Sequence, residues 1–357
     1  MSAPQPATTN PPSPSEGDAT REVPGSSEPT TAATGTHQPA ARMRALVVTP
    51  SGSRETTDMA ELRAALGDPE TRIWVDIVDG DVALVDELAE CLGIHHLVAE
   101  DILERNQRAK IERTEDTLHI VMFALAYDGG LEEDEVDIVL GRRFLLTGHG
   151  RGFDPYALSS LRRGPEELLA DGPDYLLWGI VDGLVDGYFP VFDRLGDEID
   201  DLQADVISRP TKWVVERLFQ VRRDLIAIRH AVSPQREIFN QLTNRDEPLI
   251  APARIIYFRD VYDHLLRLTD ELDSYRELVS TTLDAYLSTV NNNLSDIMKR
   301  LTAVTCILAG IAAVAGVFGM SEAIPAVGSA WGFWVITGGL FLAALVAIAW
   351  FRRIGWL

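Results

Sequence analysis

Two long runs without a charged residue, close together near the C-terminal end, constrain this chain more than any other feature. Residues 301–320 form the first run and residues 323–351 the second. A helix needs about 20 apolar residues to cross the hydrocarbon core of a bilayer. Because the runs are adjacent and bounded by charges, two membrane-spanning helices are favoured over a pair of buried core helices. The sequence predicts a first transmembrane helix at 301–320, an external loop at 321–330 and a second transmembrane helix at 331–351.

The charges beside these runs predict their orientation. Lys299 and Arg300 precede the first run, whereas Arg352 and Arg353 begin a basic tail at 352–357. The loop between the runs carries no Lys or Arg. Since basic flanks stay in the cytoplasm, both termini are expected to be cytoplasmic in a multi-pass protein of the plasma or inner membrane.

Composition excludes several classes of protein. The formal net charge is −22, and residues 43–300 alone hold 28 basic and 49 acidic side chains. Such a chain is not expected to bind nucleic acid, because phosphate backbones require a basic surface. With only two cysteines, neither a disulfide scaffold nor a Cys-rich zinc site is expected. Residues 1–42 contain 30 Pro, Ser, Thr, Ala or Gly, so this head is predicted to be disordered.

Residues 43–253 are predicted to form a cytoplasmic α/β domain. Runs rich in β-branched and aromatic residues predict strands at 44–49, 72–78, 118–126, 136–140 and 143–147. Helical periodicity marks 81–92 and 97–106. From about Asp174 the pattern is helical, with predicted breaks at Pro210, Pro234, Pro248 and Pro252. The fold class is therefore α+β, followed by helices.

A long stalk helix is predicted at 254–300. Its seam follows heptad spacing at Val261, Leu265, Leu268, Leu272, Tyr275, Val279, Thr282 and Tyr286, with Thr282 as the one polar member, then continues through Val290, Leu294, Ile297 and Leu301. No Pro or Gly interrupts 254–309, so the stalk and the first transmembrane helix are expected to form one helix, about 100 Å long at 1.5 Å per residue. Packing on the chain's own helices explains part of this seam. The rest predicts a symmetric oligomer.

Several segments, in the same order, resemble the CorA family of magnesium and cobalt transporters. They are LGIHHLVAEDILERNQRAKIE (92–112), PDYLLWGIVDGLVDGYFPVFDRLGDEIDDLQ (173–203), YFRDVYDHLLRLTDELDSYRELVSTTLDAYLSTV (257–290) and GVFGM (316–320). The resemblance covers about residues 44–357. It implies a funnel-shaped homopentamer in the lipid bilayer, with the first transmembrane helices lining a pore and the second packed outside them.

The resemblance also implies a function. Mg²⁺, and also Co²⁺ or Ni²⁺, would cross through the channel under the membrane potential, and cytoplasmic divalent ions would gate it. Mg²⁺ would be both transported and regulatory, without an organic cofactor. No Gly-rich phosphate loop or catalytic triad can be assigned, so an enzyme is not expected. Two alternatives remain open: a transporter of the same superfamily with altered selectivity, such as Zn²⁺, and a non-conducting pentamer that senses divalent ions.

One face of the first transmembrane helix and its approach is expected to line the pore. We name this set the inner stripe: Ser295, Met298, Leu301, Thr302, Thr305, Ala309, Ala312 and Gly316. Hydroxyl and carbonyl oxygens suit a hydrated Mg²⁺, which releases its waters reluctantly. The alternative is that small residues mark close helix packing. The outer mouth is predicted at Gly319, Met320, Ser321 and Glu322, where the family has Gly-Met-Asn, so the chain departs from the family at Ser321.

Regulatory ion ligands are implied by the same resemblance. The family's carboxylates between neighbouring cytoplasmic domains match Asp101 and Asp260, and Asp284 is a further candidate nearer the membrane. The alternative for Asp260 is an ion pair with a neighbouring arginine. Adjacent His95 and His96 are expected to point apart at the start of a helix. Two further histidines, His230 and His264, show no ligand partner at metal-binding spacing.

Overall fold

The first part of the chain forms a seven-stranded mixed sheet. The computed structural model describes residues 42–114, 116–319 and 330–356. The strand order is β2-β1-β3-β7-β6-β5-β4, in which β3 and β7 are parallel and every other neighbouring pair is antiparallel. The strands are β1 (Arg42–Thr49), β2 (Gly52–Thr56), β3 (Arg72–Val78), β4 (Lys110–Arg113), β5 (Thr117–Tyr127), β6 (Leu131–Gly141) and β7 (Phe144–His149).

The five predicted strands are confirmed as β1, β3, β5, β6 and β7. Their ends shift by at most two residues, except that β6 begins at Leu131, five residues before the predicted start. Arg42 was assigned to the head but begins β1. The remaining head residues lie outside the described part of the chain. Strands β2 and β4 were not predicted. Both are short edge strands, and their sequences GSRET and KIER have no run of β-branched or aromatic residues.

Helices cover both faces of the sheet because its strands alternate apolar side chains between two cores. In β3, Ile73 and Val75 belong to one core and Trp74 to the other. The first core is completed by α1 (Met59–Leu66), α2 (Val82–Leu92) and α3 (His96–Glu104). The second is completed by α4 (Pro165–Asp171), α5 (Pro173–Asp186), α6 (Tyr188–Ser208), α7 (Lys212–Asn244) and the first half of α8 (Ile255–Gly319).

The predicted helices at 81–92 and 97–106 are confirmed as α2 and α3. The Asp81 side chain accepts from the amide of Leu84 and caps α2. His95 caps α3 in the same way, since its Nδ1 accepts from the amide of Leu97 at 3.2 Å. The expectation that His95 and His96 point apart is wrong, because the extended backbone at the cap leaves their ring centroids 4.3 Å apart.

The predicted breaks are confirmed at Pro210, Pro248 and Pro252, but the break at Pro234 is wrong. Helix α7 has 33 residues and continues through Pro234 without a break. A proline inside a helix removes one hydrogen bond and crowds the preceding turn. Here the neighbouring Val232, Gln235 and Ile238 are buried, so packing outweighs the local preference of proline.

The last part of the chain is two long helices. Helix α8 (Ile255–Gly319) has 65 residues, about 100 Å at 1.5 Å per residue, and α9 (Ala330–Arg353) has 24. The predicted continuity between the stalk and the first apolar run is therefore confirmed. Both helices contain segments long and apolar enough to cross a membrane, and these segments are almost entirely exposed in the single chain.

The seam on α8 divides into two parts. From Val261 to Thr282 its main positions are buried against α5, α6 and α7 of the same chain. Beyond that point Leu294 is 54% exposed and Ile297 is 60% exposed. The first part is thus fully explained within one chain. Only the second part, from about Val290, supports the inference of an oligomer.

Candidate functional site

The inner stripe occupies one side of the C-terminal half of α8. At 100° per residue its eight members fall within an arc of roughly 120°. All eight are exposed in the single chain, including Met298 at 59% and Leu301 at 64%. The Thr305 hydroxyl donates to the carbonyl of Leu301 within the helix, at 2.8 Å. The hydroxyl oxygen keeps its acceptor capacity, so this side of the helix can accept hydrogen bonds from a hydrated ion.

Helix α9 lies on the other side of α8. A groove between the two helices is lined by Val304, Ile307 and Leu308 of α8 and by Ile348 and Arg352 of α9. By helical geometry the centre of this groove lies roughly 130° around α8 from the centre of the inner stripe, and no residue of the stripe lines the groove. The stripe therefore faces away from the second apolar helix, which leaves it available to other copies of the chain or to an ion path.

The predicted outer mouth lies at the edge of the described residues. Gly319 is the last residue of α8. Met320, Ser321 and Glu322 lie outside the described residues, as does the predicted loop up to residue 329. Their assignment to the mouth stays a prediction from the sequence.

Asp101 lies on α3 in a charged cluster beside the edge of the sheet. The ammonium of Lys110 is 2.7 Å from Oδ2 of Asp101 and 3.1 Å from Oε1 of Glu112. Glu112 is directly opposite His119 in the β4–β5 pair. Ligand atoms of Asp101, Glu112 and His119 lie within 4.8 Å of one another, so the ammonium occupies a group of atoms that could otherwise approach a metal ion.

The electrostatics of this cluster keep Lys110 charged. Burial lowers the pKa of Lys110, but its hydrogen bonds to Asp101 and Glu112 outweigh that effect and raise it. Beneath them His119 and Asp137 form a fully buried pair at 2.8 Å. Burial, reinforced by the charge of Asp137, raises the pKa of the nearby Glu135 to about 7.

Asp260 lies in a second cluster, between α5 and α8. Ligand atoms of Asp182, Asp260 and His264 lie within 4.8 Å of one another. Asp260 and His264 are four residues apart and share a face of α8, while Asp182 projects from α5. The Nδ1 atom of His264 is buried without a hydrogen-bond partner and lies 3.7 Å from Asp186. We name Asp182, Asp260 and His264 the stalk cluster.

Burial makes the negative charge of the stalk cluster less favourable. It raises the pKa of Asp182 to about 6, and the neighbouring negative charge of Asp186 adds to the shift. A cation bound here would offset both effects. Carboxylate oxygens suit Mg²⁺, whereas the imidazole of His264 also suits cobalt, nickel or zinc.

The two predicted carboxylates, Asp101 and Asp260, do not belong to one ligand group within the described chain. Asp260 is exposed, and among the described residues no ion pair of Asp260 with an arginine is found, contrary to the alternative weighed from the sequence. Asp284 is also exposed and belongs to neither cluster.

His264 and Asp182 were missed by sequence reasoning. The expectation that His264 lacks metal-ligand partners is wrong, because one partner is on another helix, α5, and the other is Asp260, one turn earlier on α8. Two signals were present in the sequence. Asp260 and His264 have the i, i+4 spacing of one helix face, and Asp182 interrupts an otherwise apolar run in WGIVDGLV.

A polar cleft of about 1120 Å³ opens at the end of strands β3 and β7. Two buried residues in it are paired, with Nε2 of His149 3.1 Å from Oδ1 of Asp76. Thr147 donates to the same carboxylate at 2.5 Å and accepts from the Trp74 indole at 3.0 Å. Acidic and basic side chains are mixed in its lining, so the cleft shows no clear preference for a cation or an anion.

Comparisons with known proteins agree with this architecture. The family described as "CorA-like Mg2+ transporter protein" matches residues 69–353. The cobalt/magnesium transport protein CorA of Thermotoga maritima is 34% identical over 311 residues, which cover 85% of this chain and 88% of that protein. The zinc transport protein ZntB of Yersinia pseudotuberculosis is 24% identical over 274 residues, covering 73% and 80%.

A solved structure has the same fold. The complete structure of the CorA magnesium transporter from Methanocaldococcus jannaschii matches with a TM-score of 0.73 at 22% identity, covering 88% of this chain and 98% of that one. The sheet domain, the long helix and the two C-terminal apolar helices thus recur together. Since the family match spans most of the chain, the protein belongs to the CorA family, whose members are divalent-cation transporters and not enzymes.

Proposed function

We propose that this chain conducts Mg²⁺, with Co²⁺ and Ni²⁺ as further substrates, through a pore lined by the inner stripe. The observation that carries the proposal is the position of the stripe. It is uncharged, contains hydroxyl groups and faces away from α9. Neutral oxygens can hold the waters of a hydrated dication without trapping the ion, as rings of carboxylates would.

A pore of this kind requires several copies of the chain, and we propose five. The apolar positions of α8 beyond Val290, with Leu294 and Ile297, are exposed in one chain and would pack between neighbouring copies. The basic flanks Lys299 and Arg352 favour cytoplasmic termini. A dication entering through such a pore gains roughly 4.6 kcal/mol per 100 mV of membrane potential, at about 2.3 kcal/mol for each charge.

We further propose that Asp101 and the stalk cluster bind divalent ions between neighbouring copies and favour the closed pore. The separation of Asp101 from Asp260 within one chain supports a site that two copies share. The negative charge of residues 43–300, which hold 28 basic and 49 acidic side chains, would drive neighbouring sheet domains apart. Bound cations would offset this repulsion.

Altered selectivity is the second candidate function. Ser321 replaces the amide expected at the mouth by a shorter hydroxyl, and one relative is a zinc transport protein. A third candidate, a non-conducting sensor of divalent ions, is compatible with the same change.

A flux assay in liposomes tests these functions against one another. Purified protein is reconstituted, an inside-negative potential is imposed, and uptake of Mg²⁺, Co²⁺, Ni²⁺ and Zn²⁺ is measured with ion-selective dyes. Uptake of Mg²⁺ that stops when Thr305→Phe fills the stripe supports the first proposal. Uptake of Zn²⁺ without Mg²⁺ supports altered selectivity. Absence of all uptake, with cation-dependent protection from proteolysis retained, supports a sensor.

A further inference from the structure

Lys110 holds the position beside Asp101 that a divalent ion would need. We propose that the Lys110 ammonium is a tethered competitor, which must leave Asp101 before a divalent cation can bind there. Lys110 thereby sets the cation concentration at which the regulatory site fills. The inference rests on the proposed regulatory role of Asp101, and it adds a residue that tunes this site.

The contacts of Lys110 are those of a cation in a ligand shell. Its Nζ is 2.7 Å from Asp101 and 3.1 Å from Glu112, and the side chain of Lys110 is only 24% exposed. The Asp101 side chain is 19% exposed. A lysine ammonium is a compact point charge, so it can sit between two carboxylates much as a small metal ion does.

Strand pairing fixes the lysine in this position. Lys110 and Glu112 are two residues apart on β4, so both project from the same face of the sheet. The strand is held to β5 from Lys110, opposite Val121, to Arg113, opposite Leu118. Because the ammonium is attached to the rigid sheet beside α3, the competition is intramolecular and is not diluted.

Because Lys110 occupies Asp101, a divalent ion binds there with a higher apparent dissociation constant than it would at a free carboxylate. The apparent dissociation constant equals the intrinsic constant divided by the fraction of molecules in which Asp101 is free of Lys110. A partly exposed ion pair of this kind is expected to change that constant by about fivefold. The single positive charge of the Lys110 ammonium would thus keep divalent ions off Asp101 until their concentration rises.

The first test removes the charge. Limited proteolysis of the full chain in mild detergent is titrated with Mg²⁺, for the wild type and for Lys110→Met and Lys110→Gln. We expect both variants to reach half-protection at about fivefold lower Mg²⁺. The control is Lys212→Met, because Lys212 is 91% exposed and pairs with Glu216 on its own helix, and the substitution changes the net charge equally. A midpoint that is unchanged, raised, or lowered equally by Lys212→Met overturns the proposal.

The second test leaves the protein unaltered. The chain has three lysines, Lys110, Lys212 and Lys299, so acetylation of each can be followed by mass spectrometry. Saturating Mg²⁺ is expected to speed the acetylation of Lys110 severalfold and to leave Lys212 unchanged. An unchanged or slower rate at Lys110 overturns the proposal even where a variant does not fold.

Failure of the tuning can be separated from failure of the regulatory site. If Mg²⁺ protects the wild type and Asp101→Asn abolishes that protection, but the Lys110 variants keep the wild-type midpoint, only the competition is wrong. If Mg²⁺ protects neither the wild type nor the variants, the regulatory site itself is wrong and the competition falls with it.

Discussion

The two halves of α8 differ in what surrounds them. From Val261 to Thr282 the apolar seam is buried by α5, α6 and α7 of the same chain. From Leu294 to Leu308 most apolar side chains are exposed and only Ala303 is buried, although the helix continues without a break. One helix thus contains a half that is complete within the chain and a half that requires lipid or further copies.

This difference shows how a movement could pass between the two halves. The first half carries Asp260 and His264 on the face toward α5, and the second half carries the inner stripe. A helix is stiff along its axis, so a shift of the first half relative to α5 moves the second half with it. An ion bound at the stalk cluster, as proposed above, would therefore act on the proposed pore through the position of α8 and not through direct contact.

The largest expected effect is on the free energy of unfolding, which should depend on the first half of α8 and hardly on the second. Leu265 is fully buried and Leu294 is 54% exposed on the same helix. Leu265→Ala is expected to lower the free energy of unfolding of the sheet domain by about 3 kcal/mol, because it removes buried methyl groups and leaves a cavity. Leu294→Ala should change it by less than about 0.5 kcal/mol. Denaturant titration of the full chain in detergent, followed by near-UV circular dichroism, measures both.

The same pair of variants tests the oligomer. Leu294→Ala is expected to weaken assembly, seen by mass photometry as a smaller fraction near five chains of 39.3 kDa each. A wild-type protein that is a monomer or dimer in mild detergent would exclude the pentamer. An equal loss of stability in both variants would mean that Leu294 is already buried within one chain, and the contrast between the halves would be wrong.

The next effect concerns ion binding on the first half. Asp260→Asn removes one charged ligand of the stalk cluster, and a charged hydrogen-bonding group is worth about 1.5–3 kcal/mol. We therefore expect the Mg²⁺ concentration that half-protects the chain from proteolysis to rise by about tenfold or more. Transport should also become less sensitive to internal Mg²⁺.

Asp263 supplies the matched control for this variant. It is exposed on the same helix and is not a member of the stalk cluster. Asp263→Asn changes the net charge by the same amount and should leave the midpoint near that of the wild type. Equal shifts in the two variants would reduce Asp260 to a surface carboxylate that acts only through net charge.

A smaller effect is the pH dependence of the sheet domain, from the buried pair of His149 and Asp76. Burial lowers the pKa of His149, but the hydrogen bond to Asp76 and the one to the Gly150 carbonyl outweigh it, so the pKa is raised above its usual value of 6.5. The folded state then holds the proton more tightly than the unfolded state. The stability from this pair is fully present below about pH 6.5 and is lost as the pH rises through the raised pKa.

His149→Gln tests this assignment against an exposed control. The variant should reduce the fall in stability above about pH 6.5 by the contribution of this pair, whereas His96→Gln should keep the fall in full, because His96 is exposed. Denaturant midpoints measured across pH 5 to 9 compare the two. A wild-type stability that rises over this window would contradict the raised pKa.

Some parts of this structure could be predicted from the sequence and others could not. The apolar runs, the continuous α8 and the five inner strands could be predicted, because hydrophobic patterns report burial and length directly. The edge strands β2 and β4 could not, since natural edge strands are short and charged. The predicted break at Pro234 was wrong because tertiary packing decides whether a helix tolerates proline.

The candidate sites were predictable only where their residues are close in the sequence. Asp101 and Asp260 came from a family resemblance, but the partners the structure places beside them do not follow from local patterns. Lys110 reaches Asp101 through the pairing of β4 with β5, and Asp182 reaches Asp260 through the packing of α5 on α8. Contacts of this kind depend on tertiary structure, and a single sequence does not encode them in its spacing.

The smallest expected effect is at Ser321, which follows the described end of α8 in the sequence. An asparagine there would present a carbonyl acceptor and an amide donor, whereas serine has one hydroxyl. Each hydrogen bond to a hydrated ion is worth only about 0.5–1.5 kcal/mol net, but a ring of copies would make several at once. We expect Ser321→Asn to lower the half-saturating Mg²⁺ concentration for uptake by severalfold.

Glu322→Gln should raise this half-saturating concentration, most clearly at low ionic strength, because the loss of a negative charge at the mouth is then least screened. If both variants take up Mg²⁺ like the wild type, capture of the ion does not occur at this ring. Selectivity would then be assigned to the hydroxyls of Thr302 and Thr305 within the inner stripe.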